Sequence, residues 1–183
     1  MFRDHTDTWN GAVHCTKNAR VLFDAAEALR IKEQVGCAAA LLVLSAEESS
    51  KAIGLGQHIT SPLPAKNLQQ LFRKHIVKHH GAATVAHVLL AILRLHPTRK
   101  PLAPGEGGLY DHIEHWRKNA DTLKKRGFYV DYVEGQWVHP GEIVGADYDE
   151  AKVVAHTILT VAEGFFKIGT LEELISHDHA DEA

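Results

Sequence analysis

The sequence predicts an all-α bundle of four to five helices with one small β-hairpin appended. Three observations predict it. Apolar residues recur at spacings of three and four through most of the 183 residues, Pro and Gly cluster only at a few breaks, and one short stretch alternates with period two. A chain of this length is read as one domain, residues 1–183, large enough to bury a core.

The elements follow in order. Cys15, Ala19, Leu22, Ala26 and Leu29 mark an amphipathic helix over about residues 14–34, closed near Gly36. Leu41, Leu44, Glu48, Ala52 and Leu55 continue the rhythm over about 37–58, until Pro62 and Pro64 force an extended link. A third helix is expected from about 66 to 96, with Phe72, Ile76, His79, Ala83, Ala86, Leu90 and Leu93 as its stripe and Pro97 as its stop. PTRKPLAPGEGG, residues 97–108, reads as an exposed loop. A shorter helix follows over about 110–125, with Gly127 placed as its C-terminal cap. FYVDYV and QWVHP flank Glu134-Gly135 and predict a hairpin within about 128–140. Tyr129, Tyr132 and Trp137 are expected to cover the bundle, because a lone hairpin is marginal unless it lies on a helical body. The last helix is expected over about 147–168, and the polar tail from about 177 is expected to be disordered.

Composition narrows the function classes. A formal net charge of -3 creates no global field for nucleic acid, so any such contact needs a local basic patch, and no DNA specificity is evident. Cys15 and Cys37 form no CxxC pair and read as reduced, partly buried thiols. The opening residues are polar, and the longest apolar run, 37–44, is far too short to cross a bilayer, so no membrane contact and a cytoplasmic setting are expected.

Chemistry concentrates on two segments. In LSAEESSKA, Glu48 shares the apolar stripe of its helix and so is expected to face the bundle interior or its edge, which requires a cationic partner. Glu47 and Lys51 have the favourable order for an i,i+4 pair, and the bland alternative is a solvated face with that one salt bridge. FRKHIVKHH supplies Arg73, Lys74, His75, Lys78, His79 and His80. His79 replaces an apolar residue in the stripe, His75 lies one turn earlier, and Arg73 and His80 are two turns apart on one face. If the two helices pack antiparallel, Glu47/Glu48 and His75/His79 meet across the seam. Arg and Lys can hold a phosphate while a neighbouring His works as acid or base near neutral pH. Together they suit metal-independent RNA cleavage, in which a ribose 2′-hydroxyl attacks its own phosphodiester. His75 and His79 also have the spacing of two metal ligands on one helix, but the Glu-x-x-His pattern of di-iron bundles is absent, so metal binding is the lesser reading and no cofactor is expected. A second acid/His group, Asp111, His112, Glu114 and His115, is expected on an exposed helix face.

NARVLFDAAEAL, LSAEESSKA, FRKHIVKH and RGFYVDYVEGQWVHP occur in the order seen in the AbiV family of abortive-infection (phage-resistance) proteins, which the chain resembles over roughly residues 15–165. That family is grouped with the HEPN superfamily. The resemblance implies a HEPN-like bundle, a homodimer, and a role in antiphage defence. It maps the family's Glu-Glu-x-x-Lys pattern onto Glu47, Glu48 and Lys51, and His-x-x-Lys onto His75 and Lys78; Ser50 stands where a glycine is expected. In many HEPN proteins an Arg followed after four to six residues by a His forms a ribonuclease site at the dimer interface. Arg73 with His79 or His80 fits that spacing, which makes these three the catalytic candidates and Glu47, Glu48, Lys51, His75 and Lys78 the binding candidates. The expected partner is RNA or the translation apparatus. The alternative is a non-enzymatic defence module that binds a phage or host protein.

Overall fold

The computed structural model describes residues 4–95 and 108–167. The expected loop at 97–108, all but its last residue, and the expected disordered tail lie outside the described residues.

Helix α1 spans His5–Ile31 and starts earlier than periodicity predicts, because Asp4 caps it by accepting the backbone N–H of Asp7 at 2.8 Å. It buries Ala12, Thr16, Ala19, Phe23 and Ala26. Helix α2, Val35–Thr60, packs against every other helix of the described residues. Its sequence explains this position: Ala38, Ala39, Ala40, Leu42, Val43, Ala46 and Ala52 bury small or apolar surface on several sides, not along one stripe. Helix α6, Gly145–Lys167, lies along α1 and α2, and Arg20 of α1 clamps Glu163 with two hydrogen bonds of 2.8 and 2.7 Å.

The single helix expected over 66–96 is two helices, α3 (Ala65–Arg73) and α4 (His75–Leu95). Lys74 between them is extended, with φ -110 and ψ 114, and its N–H closes α3 on the Gln70 carbonyl at 2.8 Å. No proline or glycine marks this break. It re-aims α4, so that Ile76, expected in the apolar stripe, is 62% exposed while Lys78 and His79 are buried. Arg73 and His80 therefore do not share the face of one continuous helix.

Helix α5 spans Gly108–Phe128, and Gly127 lies inside it instead of capping it. The residue serves close packing, since a β-carbon there would stand 2.6 Å from Ala40 Cβ and run into the Gly36 carbonyl of α2. Strands β1 (Asp131–Val133) and β2 (Gln136–Val138) pair antiparallel with Tyr132 opposite Trp137. Glu134 and Gly135 both have positive φ, 51 and 85, as a two-residue type I′ connection requires. The hairpin is where it was expected, but its aromatics do not cover the bundle. Tyr129, Tyr132 and Trp137 are 65%, 58% and 69% exposed, and the Tyr132 and Trp137 rings pack on each other with centroids 5.1 Å apart. A single 3₁₀ turn, Pro140–Glu142, then leads into α6. Among the described residues no helix is long and apolar enough to cross a membrane.

Candidate functional site

The site is built around one carboxylate. Glu47 lies midway along α2 where α4 and α5 close over it, and it is 2% exposed. Four side chains converge on its two oxygens. From α4, the Lys78 ammonium stands 2.7 Å from Oε2, the His79 ring nitrogen Nε2 2.9 Å from Oε1, and His75 Nδ1 2.8 Å from Oε2. From α5, the Lys124 ammonium donates to Oε1 at 2.8 Å. His75, Lys78 and His79 follow one another at three and four residues, so one face of α4 presents all three.

Burial opposes ionisation of Glu47, but the hydrogen bonds from His79, Lys124, Lys78 and His75 more than offset it and hold the carboxyl far below the ordinary carboxylate range. The acid is therefore ionised at neutral pH, and two ammonium groups with two imidazoles surround it. With both rings neutral, the core of the cluster carries one negative and two positive charges.

The inward carboxylate is thus Glu47, not Glu48. Glu48 instead pairs with Lys51 at 2.5 Å, an i,i+3 contact in place of the expected Glu47–Lys51 pair. Lys51 also lies over the Phe72 ring, 5.8 Å from its centroid. Beside this pair sits Cys15, whose thiol is pushed up by burial, with Lys51 opposing and Glu48 adding to the rise. Both cysteines are free and half-buried.

The three residues singled out by the Arg-to-His spacing fall in different settings. Arg73 is exposed at the end of α3. His79 is walled in, its side chain 3% exposed and its ring edge-on to Trp116 with centroids 5.6 Å apart. His80 is exposed and stands 3.1 Å from Arg117 Nη1 of α5, while Arg117 itself clasps Glu114. Of the second acid/His group, Asp111 and His112 fall outside the described side chains. His115 is exposed, as expected, and pairs with Glu150 of α6 at 2.9 Å.

Lys124, Trp116 and Arg117 escaped the sequence reading. Lys124 carries an available signal, because it lies in a Lys124-Lys125-Arg126 run whose other two members are exposed, but nothing in the run says which lysine turns inward. Trp116 is 2% exposed, and its indole N–H has no partner among the described residues. Among the described residues, no group of three or more His, Cys, Asp or Glu side chains is arranged to hold a metal ion. The two ammonium groups already on Glu47 would oppose a cation there.

The family model for AbiV, within the HEPN group, matches residues 9–160, a span that contains Glu47, His75, Lys78, His79 and Lys124. No curated protein and no solved structure matches the chain. Because that match covers most of the 183 residues, the chain belongs to the AbiV family of HEPN-like abortive-infection proteins.

Proposed function

We propose that this chain serves antiphage defence by acting on RNA, free or within the translation apparatus, as a metal-independent ribonuclease that works as a homodimer. The observation that supports this reading is the excess of cationic and imidazole groups over carboxylate at the Glu47 cluster, with one of its members, His75, half open to solvent. Arg73 and Lys74 adjoin that opening in the chain and are exposed, as phosphate-holding groups must be. His80 is a second exposed imidazole on the same helix. His79, Lys78 and Lys124 keep Glu47 ionised and in place. Glu48 and Lys51 form a separate pair one turn along α2, bordering the site.

Purified protein incubated with tRNA and total RNA, with chelator present, is expected to yield discrete fragments. Arg73→Ala is expected to slow cleavage roughly 10- to 100-fold, the worth of one charge-assisted phosphate contact. Its exposed position leaves stability almost unchanged. Intact RNA after incubation with the wild type counts against the reading.

A second reading, a non-enzymatic module that captures a phage or host protein, is favoured by the hairpin. Its aromatics form an uncovered apolar surface next to a cavity of about 870 Å³ lined by Lys125, Arg126, Tyr129, Val130 and Val138. On that reading, Trp137→Ser abolishes capture of a specific protein from infected cells without changing RNA cleavage. Equal capture by wild type and variant sinks it.

A further inference from the structure

We infer that His75 is the general base of this site and that Glu47 is its positioning residue, a deepening that rests on the ribonuclease reading above. The argument begins with one nitrogen. His75 Nδ1 lies 3.0 and 2.8 Å from the two oxygens of Glu47. A nitrogen held between two acceptor oxygens must carry the hydrogen, since a lone pair there would face two others. Lys124 Nζ is also 3.0 Å from this nitrogen and has protons beyond the one it gives Glu47 Oε1 at 2.8 Å, so the tautomer rests on the two carboxylate oxygens, which outnumber that one ammonium and which only an N–H can satisfy. In the neutral ring, protonation at Nδ1 leaves the lone pair on Nε2. The His75 side chain is 51% exposed, so Nε2 is open to a substrate hydroxyl.

No other imidazole of the cluster combines these properties. His79 turns its Nε2 inward to the same carboxylate and is covered by α5, where Trp116 meets its ring. His80 is accessible, but its Nε2 faces Arg117 Nη1 at 3.1 Å, a donor and not a carboxylate. Of these three imidazoles, His75 is the one with a buried carboxylate at one nitrogen and a half-exposed ring. This is the arrangement in which a carboxylate fixes the tautomer of an imidazole and stabilises the imidazolium formed when it takes a proton. The groups around the dyad keep Glu47 ionised: Lys78 and His79 from α4, with Lys124 from α5. The His79 ring also stacks on that of His75 with centroids 6.4 Å apart.

The step balances without a co-reactant. His75 Nε2 takes the proton of a ribose 2′-hydroxyl, the 2′-oxygen forms a bond to the adjacent phosphorus, and the bond from phosphorus to the 5′-oxygen breaks. The leaving 5′-oxygen takes a proton from water, and the resulting hydroxide takes the proton from His75. The products are a 2′,3′-cyclic phosphate and a 5′-hydroxyl end. Single-stranded RNA is the substrate class, because the attacking 2′-oxygen must swing into line with the leaving group, and a stacked duplex resists that. A DNA strand of the same sequence lacks the nucleophile and is not cut.

The test pairs kinetics with spectroscopy. His75→Ala is expected to slow cleavage of a single-stranded RNA oligomer by about 10²- to 10⁴-fold, the usual worth of general acid–base catalysis. Added imidazole is expected to restore part of the rate, because the vacated position opens to solvent. Nitrogen-15 NMR of the wild type, without RNA, is expected to show the neutral His75 ring as the Nδ1–H tautomer. Glu47→Gln, or Glu47→Asp if the glutamine variant does not fold, is expected to shift that tautomer balance, which a merely structural carboxylate would not do. A wild type that cuts RNA, with His75→Ala keeping more than a tenth of its rate, overturns the assignment. An Nε2–H tautomer overturns it as well. If the wild type leaves RNA intact, the ribonuclease reading falls and the assignment falls with it. An Nδ1–H tautomer found in that case locates the failure in the reading, not in the geometry.

Discussion

Replacing Glu47 by glutamine is expected to lower the free energy of unfolding by about 3–5 kcal/mol, the cost of removing one partner from a buried ionic group. For a chain of this size that corresponds to a fall in Tm of roughly 6–20 °C, readable by thermal denaturation. The size of the effect follows from what is left behind. The Lys78 and Lys124 side chains are 6% and 11% exposed, and without the carboxylate Lys78 loses its anion while Lys124 keeps only the longer contact to Asp121 at 3.4 Å. A glutamine amide makes matters worse, because its NH₂ group is a donor facing four donors. The adjacent acid provides the contrast. Glu48→Gln removes a less buried pair with Lys51 and should cost about 1 kcal/mol or less. Equal losses at the two positions would show that Glu47 is not the centre of the site.

The same carboxylate sets a pH dependence whose sign is fixed. The folded-state pKa of Glu47 lies below its unfolded value of 4.5. Its stabilising contribution is therefore complete above pH 4.5 and is lost as pH falls towards the depressed folded value. Below pH 4.5 the wild type should lose stability more steeply than Glu47→Gln, by up to about 1.4 kcal/mol per pH unit for this one proton. Urea unfolding midpoints measured across that acid range would show the two curves converging. Parallel curves would deny Glu47 its depressed value.

How much of this was legible in the sequence depended on how one-sided each helix is. Helix α1 and the hairpin could be read, because α1 has a buried face and an open one and the hairpin announces its turn with Glu134-Gly135. Helix α2 could be placed but not oriented. A helix buried on several sides has no single inward stripe, so periodicity pointed to Glu48, which lies at the edge paired with Lys51, while the fully buried acid is its neighbour Glu47. The meeting of α2 acids with α4 histidines was foreseeable from antiparallel packing. The arrival of Lys124 was not, because it comes from 77 positions further along the chain. The break at Lys74 left no local signature either. It occurs within a run of residues able to continue a helix, and what stabilises it is tertiary: the burial of Lys78 and His79 against Glu47. The hairpin aromatics erred in the other direction, since alternation predicts a packed face but says nothing about where a covering partner would be.

Helical glycines offer a sharper test of the packing that assembles the site, because substitutions by alanine should have opposite signs at two of them. An alanine inside a helix gains about 0.5–1 kcal/mol over glycine from backbone entropy alone. At Gly164 of α6 nothing lies within 4 Å of an added β-carbon, so Gly164→Ala should keep that gain and raise Tm by roughly 1–4 °C. At Gly127 the β-carbon would run into the Gly36 carbonyl and stand 2.6 Å from Ala40 Cβ. The obstacle is backbone and a short side chain of the central helix, neither of which can swing aside. Overpacking of this kind costs about 1–3 kcal/mol or more, which exceeds the propensity gain, so Gly127→Ala should lower Tm. Valine, with two further methyl groups at the same contact, should lower it more. The consequence reaches the site because Lys124 lies one turn before Gly127 on the same helix. Pushing the last turn of α5 off α2 draws the Lys124 ammonium away from Glu47 Oε1, now 2.8 Å distant. Gly127→Ala combined with Lys124→Met should therefore cost less than the sum of the two single losses, by about 0.5 kcal/mol or more in a double-mutant cycle. Strict additivity would show that the contact of α5 with α2 and the ion pair are independent, and that Gly127 plays no part in holding the fourth donor on Glu47.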